Sequence, residues 1–354
     1  ETPNDGLWRI DLDHVLRKGE RTTVDFDYSG KPLRGLIFEG DIVYTSYFTC
    51  DWMICAQDRP GDKAAFKLTL DIAKDAMSFG PGRYLGLSPT RGAPTRQVWE
   101  ETKVYPAHTF GFAAGTFTTA FANAGPVSLA YFTAPGTADA DELQRLFATT
   151  PEMLDYFQGK AGVPFPNTRY TQLLVKGWEA QEGSNFSVIG TEAIRSILKD
   201  PTEDWVIAHE LAHQWWGNLI GCADWTHFWL NEGVVVFMTA AWKERKHGRA
   251  AYDREMELAR KRVQFARDAG FDKPLAWNGQ YPDLRTRRAV QYSKGALFLD
   301  ALRTELGEDA FWAGFKLYTQ RHAGGTVVSA DFQRAMEDAS KRDLSTIFKA
   351  WVTG

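Results

Sequence analysis

Along the first third of the chain, apolar residues fall on alternate positions. Trp8, Ile10 and Leu12 make one such run, Val24, Phe26 and Tyr28 a second, Phe66, Leu68, Leu70 and Ile72 a third, and Val127, Leu129 and Tyr131 a fourth. A period of two lines one face of a strand, and glycine and proline punctuate the gaps, so residues 1–133 read as an antiparallel β domain. The stretch Thr133-Ala134-Pro135-Gly136-Thr137-Ala138 then reads as a short linker.

Beyond it the period lengthens to that of a helix. Leu143, Leu146, Phe147, Leu154 and Phe157 predict one interrupted helix or two adjacent ones around Pro151, and residues 170–175 predict a strand. Tyr252, Met256 and Val263 mark a long charged helix; Phe332, Ala335, Met336 and Ala339 mark another, capped by Ser329. Asp200-Pro201-Thr202-Glu203 offers an acidic cap followed by proline and glutamate, and Gly217-Asn218 offers a stop, which predicts a helix of about four turns between them. A further helix is expected over 230–246, ended by Gly248. The whole is α+β, with residues 134–354 forming a mostly helical second domain.

The chemistry lies on the last two helices. His209-Glu210-Leu211-Ala212-His213 sets two imidazoles four residues apart, one turn above each other on one helix face. Glu232, within Trp229-Leu230-Asn231-Glu232-Gly233, follows nineteen residues later in the first turn of the next helix. Two histidines and a carboxylate from a second helix are three protein ligands for one catalytic zinc ion, leaving a fourth position for water. Glu210 points off the ligand face, too far round to bind the ion and close enough to take a proton from water, which suits a general base.

These residues, with Gln214-Trp215-Trp216-Gly217-Asn218, resemble the aminopeptidase N family of gluzincin zinc metallopeptidases, the family that includes leukotriene hydrolase. Tyr292-Ser293-Lys294-Gly295 looks like the family's Tyr-x-Lys-Gly, whose tyrosine donates to the oxyanion of the tetrahedral intermediate. Cys55-Ala56-Gln57-Asp58-Arg59-Pro60 with Lys63-Ala64-Ala65-Phe66 resembles its N-terminal-domain signature. The resemblance implies a thermolysin-like catalytic domain at 134–354 behind a β domain shorter than usual, with the family's C-terminal helical domain absent. It also implies a peptide substrate, and an accessory domain or homodimer partner would fill the gap. A phenol donates a hydrogen bond without charge at neutral pH, which suits Tyr292 to that task. Its other reading is a core tyrosine on a helix over 291–305 whose Ala296, Leu299 and Leu302 face inward.

One departure bears on specificity. The family carries Gly-x-Met-Glu-Asn on a strand edge, and its glutamate binds the substrate's free α-amino group. Here the stretch reads Gln181-Glu182-Gly183-Ser184-Asn185, so if Asn185 matches the asparagine, Ser184 stands in place of the carboxylate. A hydroxyl gives an ammonium no charge-assisted bond. Glu182 or Glu179 reaches the same point if the backbone bulges at Gly183; otherwise both are solvated loop carboxylates. Glu182, Ser184 and Asn185 are therefore the expected substrate-binding residues. The expected activity is aminopeptidase-like hydrolysis. Its alternatives are an enzyme acting on internal bonds or blocked ends, and a peptide-binding module without turnover.

Composition adds exclusions. At 354 residues and 44% hydrophobic content the chain can bury a sizeable core, and a net charge of −4 with no basic stripe argues against nucleic acid. Arg260-Lys261-Arg262 and Arg285-Thr286-Arg287-Arg288 read first as solvated surface, the second having a minority reading as a contact to a peptide carboxylate. No apolar run has the length of a membrane span. The chain opens at Glu1 without an initiator methionine or signal peptide, which implies processing or trimming and leaves the compartment open. With three cysteines, Cys50, Cys55 and Cys222, free thiols are expected.

Overall fold

A computed structural model describes residues 9–56, 58–88 and 95–354, and the chain divides into two units, Glu1–Pro32 and Leu33–Gly354. Trp8 and Gln57 lie outside the described residues. In the first unit the expected strands at Ile10 and Leu12 and at Val24, Phe26 and Tyr28 do not form: residues 9–32 hold a turn, bends and irregular backbone, and these five side chains are exposed. Alternation alone makes no strand, because a strand also needs a neighbour to take its backbone donors and acceptors.

In the second unit the β prediction holds. Lys63–Ile72, Thr95–Pro106 and Arg83–Ser88 form an antiparallel three-stranded sheet with the longest strand in its centre. Leu36–Glu39, Ile42–Thr45, Ala113–Gly115 and Met77–Phe79 form a second, also antiparallel. A five-stranded sheet follows, ordered Ala180–Gly183, Phe186–Gly190, Arg169–Val175, Val127–Thr133, Thr118–Ala124. Its two inner pairings are parallel and its two outer ones antiparallel. The expected division at residue 133 cuts through this sheet, and the expected linker is folded in, with Thr133, Ala134, Thr137 and Ala138 all buried. Hydrogen bonding therefore does not part there.

Helices Ala140–Leu146 and Thr150–Ala161 are two separate elements, with Pro151 in the first turn of the second, and Trp229–His247, Arg249–Asp268 and Ser329–Ser340 follow their predicted spans closely. Val328, not Ser329, precedes the last of these; its N–H donates to Asp331, while the Ser329 hydroxyl accepts from Trp229 Nε1 at 2.9 Å. The helix of the histidine motif is only Trp205–Ala212, with His213 at its C-terminal cap, still in helical backbone conformation. Asp200 spends its carboxylate on the N–H and hydroxyl of Thr202, which closes a turn before the helix, and the buried Asp204 is the residue at which the helix begins. Among the described residues no helix is long and apolar enough to cross a membrane.

Cys50 and Cys55 form a disulfide, Cα to Cα 5.2 Å, and only Cys222 is free and buried. The expectation of free thiols fails because an odd total is met equally well by one pair and one leftover.

The Glu232 helix is held close to the helix Gly295–Leu306 by two facing glycines. A Cβ on Gly233 would come 2.8 Å from Gly295 Cα and 2.9 Å from the Gln291 carbonyl oxygen, both backbone atoms that cannot rotate away. Gly233→Ala is thus expected to force the helices apart and to lower stability by about 1–3 kcal/mol. A drop in the midpoint of thermal unfolding checks this; an unchanged midpoint would mean the helices separate freely.

Candidate active site

The short helix delivers its two imidazoles as its period requires, with ring centroids 4.8 Å apart. His209 Nε2 and His213 Nε2 lie 3.2 Å from each other, and Glu232 Oε2 lies 3.3 Å from the first and 3.4 Å from the second. The Trp216 carbonyl stands 3.1 Å from His213 Nδ1, where it accepts that nitrogen's proton and leaves a lone pair on Nε2. Gly217 makes this approach possible: at φ 127 it turns the chain back, and a Cβ there would sit 2.8 Å from His213 Nδ1. Glu232 Oε2 is buried without a hydrogen-bond donor.

Lone pairs thus converge from three sides, an arrangement that repels itself until a cation enters. Donor separations of 3.2–3.4 Å are those of tetrahedral ligands at roughly 2.0–2.1 Å from a common centre, the bond length of nitrogen or carboxylate oxygen to zinc. The donor set therefore fits the metal that the sequence implies.

The electrostatics tell the same story in protons. Burial opposes a charge on His213, yet the carboxylates of Glu232, Glu182 and Glu210 raise it to about 10. Burial lowers His209. Against its own burial, Glu232 is held well below the usual carboxylate range by the two imidazoles. Glu210 is pushed far up, first by burial and then by Glu182 and Glu232, and its Oε2 also lacks a partner. Glu182, half-buried, rises to about 7, chiefly through burial.

Tyr292 reaches the cluster from a widened, π-helical stretch, Arg288–Lys294, set between Leu284–Arg287 and Gly295–Leu306. Wide turns of this kind recur at functional sites because they re-aim a side chain. Burial, and then the nearby charges of Glu232 and Glu182, keep the phenol protonated far above neutral pH. Its ring meets Phe228 edge-on at 6.0 Å, and Arg287 lies over the Phe228 ring at 4.6 Å. Arg287 is therefore one ring removed from Tyr292, and its Nε donates to Gln291. Arg285 instead covers Phe265 at 3.5 Å.

Of the three expected substrate-binding residues, the structure brings one to the metal donors. Glu182 offers a carboxylate oxygen within 4.8 Å of ligand atoms of Glu210 and His213. It gets there without a bulge: the edge strand Ala180–Gly183 keeps unbroken register with Phe186–Gly190. Ser184 is fully buried, with its hydroxyl unpartnered, and Asn185, at φ 56 in the turn, accepts from the Gly82 N–H at 2.6 Å. Neither lines the small hollow beside Glu182, which is walled by Tyr47, Thr49, His108, Gln181, Glu182 and neighbouring residues. Glu179 is tied to Ser46 Oγ at 2.6 Å.

The residues after the histidine motif explain how Glu182 is held. Gln214 Nε2 and Asn218 Nδ2 donate to the Gly183 carbonyl at 2.9 and 3.0 Å, and Gln214 Oε1 accepts from the Asn185 N–H at 2.9 Å. The metal helix and the glutamate strand are thus one rigid assembly. Sequence reasoning missed Tyr47, Gln181 and His108; the last is half-buried beside Trp225, with its pKa lowered to about 4 chiefly by burial. A lone tyrosine in an irregular segment gives no signal that a pattern search can find.

The chain is also similar to known proteins. Residues 146–351 match the family model described as the peptidase family M1 domain. Aminopeptidase N of Streptomyces lividans is 29% identical over 237 residues, covering 64% of this chain and 28% of the relative. Aminopeptidase N of Escherichia coli is 26% identical, covering 83% of this chain and 35% of the relative. The chain spans about a third of the length of these curated relatives. Among solved structures, the M1 zinc metallopeptidase from Deinococcus radiodurans superposes with a TM-score of 0.72 at 22% identity, covering 91% of this chain and 71% of that one. A mutant of the Deinococcus radiodurans protein bound to a Tyr-Ser-Ala substrate gives 0.72 at 21% identity over 92% of this chain and 73% of that one. These matches carry the α+β fold, and with the family model covering more than half its length, the chain belongs to peptidase family M1.

Proposed function

We propose that this chain hydrolyses peptide bonds with one zinc ion and removes residues from a free amino terminus. The observation that carries the reading is the convergence of His209 Nε2, His213 Nε2 and Glu232 Oε2 at 3.2–3.4 Å, with the Glu210 carboxylate beside them. His209, His213 and Glu232 hold the ion. When bound, zinc supplies Lewis acidity, polarising the scissile carbonyl and making water acidic enough to lose a proton near neutral pH.

Glu210 takes that proton as water attacks the carbonyl carbon, then passes it to the leaving amine. Burial raises its basicity to suit both transfers. The Tyr292 hydroxyl donates to the oxyanion that forms, and its raised pKa keeps the donor proton in place. Glu182 accepts from the substrate's α-ammonium, the task that Ser184 cannot perform. An ammonium beside Glu182 favours the ionised carboxylate, so the pair forms as substrate arrives.

The test compares an amino-acid anilide with its N-acetylated form. Zinc-loaded chain is expected to cleave the free form and to leave the acetylated one nearly untouched. Glu182→Gln is expected to raise KM for the free form while erasing most of that preference. Equal rates on the two anilides with the natural chain would instead point to an enzyme for blocked or internal bonds, and no turnover of any peptide to a binding module.

A further inference from the structure

Tyr47 and Phe48 are adjacent, bulky and not glycine, yet both lie in the left-handed region, at φ 49 and φ 37. Such residues rarely adopt this backbone, and it persists only where the surroundings over-determine it. Here they do. Ser46 Oγ donates to Glu179 Oε2 at 2.6 Å, the Tyr47 N–H donates to Gln181 Oε1 at 2.9 Å, and Thr49 Oγ1 donates to the His108 carbonyl at 3.1 Å. The segment is strapped along the edge strand that carries Glu182.

What the strap holds in place is the Tyr47 hydroxyl. It donates to the Ala180 carbonyl at 2.5 Å and accepts from the Ala180 N–H at 3.2 Å. Ala180–Gly183 is the outermost strand of the five-stranded sheet, so the free backbone groups on its outer side are those a further strand would use. Both outer groups of Ala180 are already spent on one phenol. Since outward positions recur every two residues, Glu182 is the next outward position, nearer the metal donors.

An extended peptide commonly binds by adding itself to such an edge. Resting on the proposed peptidase reading, the metal donors fix the scissile carbonyl and Glu182 meets the amine. A substrate with more residues before the scissile bond would continue past Glu182 to Ala180, about 6.6 Å further along at two strand residues. There it would meet a side chain that has taken the hydrogen bonds it needs. We propose that Tyr47 is a specificity-determining residue: it plugs the strand edge at Ala180 and limits the upstream side of the substrate to one residue.

The claim concerns which bond is cut, so products report on it directly. Zinc-loaded chain is given a free tetrapeptide and its initial products are separated by mass spectrometry. The natural chain is expected to release single amino acids. Tyr47→Gly and Tyr47→Asn both suit a left-handed backbone, so both are compatible with the fold while opening the edge. Each is expected to raise the initial ratio of dipeptide to amino acid by about tenfold or more, the scale at which a lost steric block shows. A loss of rate from general loosening would leave that ratio unmoved. An unchanged ratio in a variant that still hydrolyses the peptide overturns the role of Tyr47, as does a natural chain that already releases dipeptides. A natural chain that cleaves nothing overturns the peptidase reading itself, a different result.

Discussion

Glu210→Gln is expected to bind zinc as the natural chain does and to hydrolyse peptides about 100-fold to 10,000-fold more slowly, the range that a positioned general base contributes. The substitution keeps the shape of the side chain and removes only its ability to take a proton. Glu210 is buried, lies between the two histidine ligands in sequence and points to one side of the three converging donor atoms, so its loss leaves them intact. Substrate affinity is therefore expected to change much less than turnover. Elemental analysis of the variant alongside steady-state kinetics decides the matter. Full zinc with kcat within tenfold of the natural chain would remove Glu210 from the reaction, and loss of zinc would make it a structural support of the ligands.

What could be read before the fold was known follows from how local each feature is. His209 and His213 converge because a helix period brings them together, and Glu232 joins them from the first turn of Trp229–His247, a long helix with a glycine just past its end. The strand Lys63–Ile72 is legible because half-buried and exposed positions alternate along it and it pairs with a neighbour. The same alternation at Ile10, Leu12, Val24, Phe26 and Tyr28 misleads, since pairing is not written in the period. Asp200 misleads in a different way: a carboxylate serves a turn as readily as a helix start, and here Thr202 claims it. Glu182 and Tyr47 show the outer limit. Their roles depend on which strand lies at the edge of a sheet and which segment is strapped against it, relations between residues 133 or more positions apart. With Ser184 in the place of the family carboxylate, the sequence leaves Glu182 and Glu179 as candidates to replace it; the fold brings Glu182 beside Glu210 and His213 and ties Glu179 to Ser46.

Removing the third ligand tests the metal centre itself. Glu232→Ala is expected to lose stoichiometric zinc and, with it, detectable hydrolysis. The two imidazoles alone would keep an incomplete donor set. The same variant also separates the cost of assembling the site from the benefit of filling it. In the natural chain three donor atoms are pressed to within 3.4 Å of one another around a space that suits a cation, so zinc bound there stabilises the fold by mass action. At a free concentration a thousand times the dissociation constant that stabilisation is about 4 kcal/mol. Stripping the natural chain with a chelator is therefore expected to lower its unfolding midpoint by several degrees or more. Glu232→Ala should show no such response, because it has little zinc to lose and no third donor to repel the histidines. If chelator lowers both midpoints alike, the stabilising ion sits elsewhere, and the three residues gathered here are not its ligands.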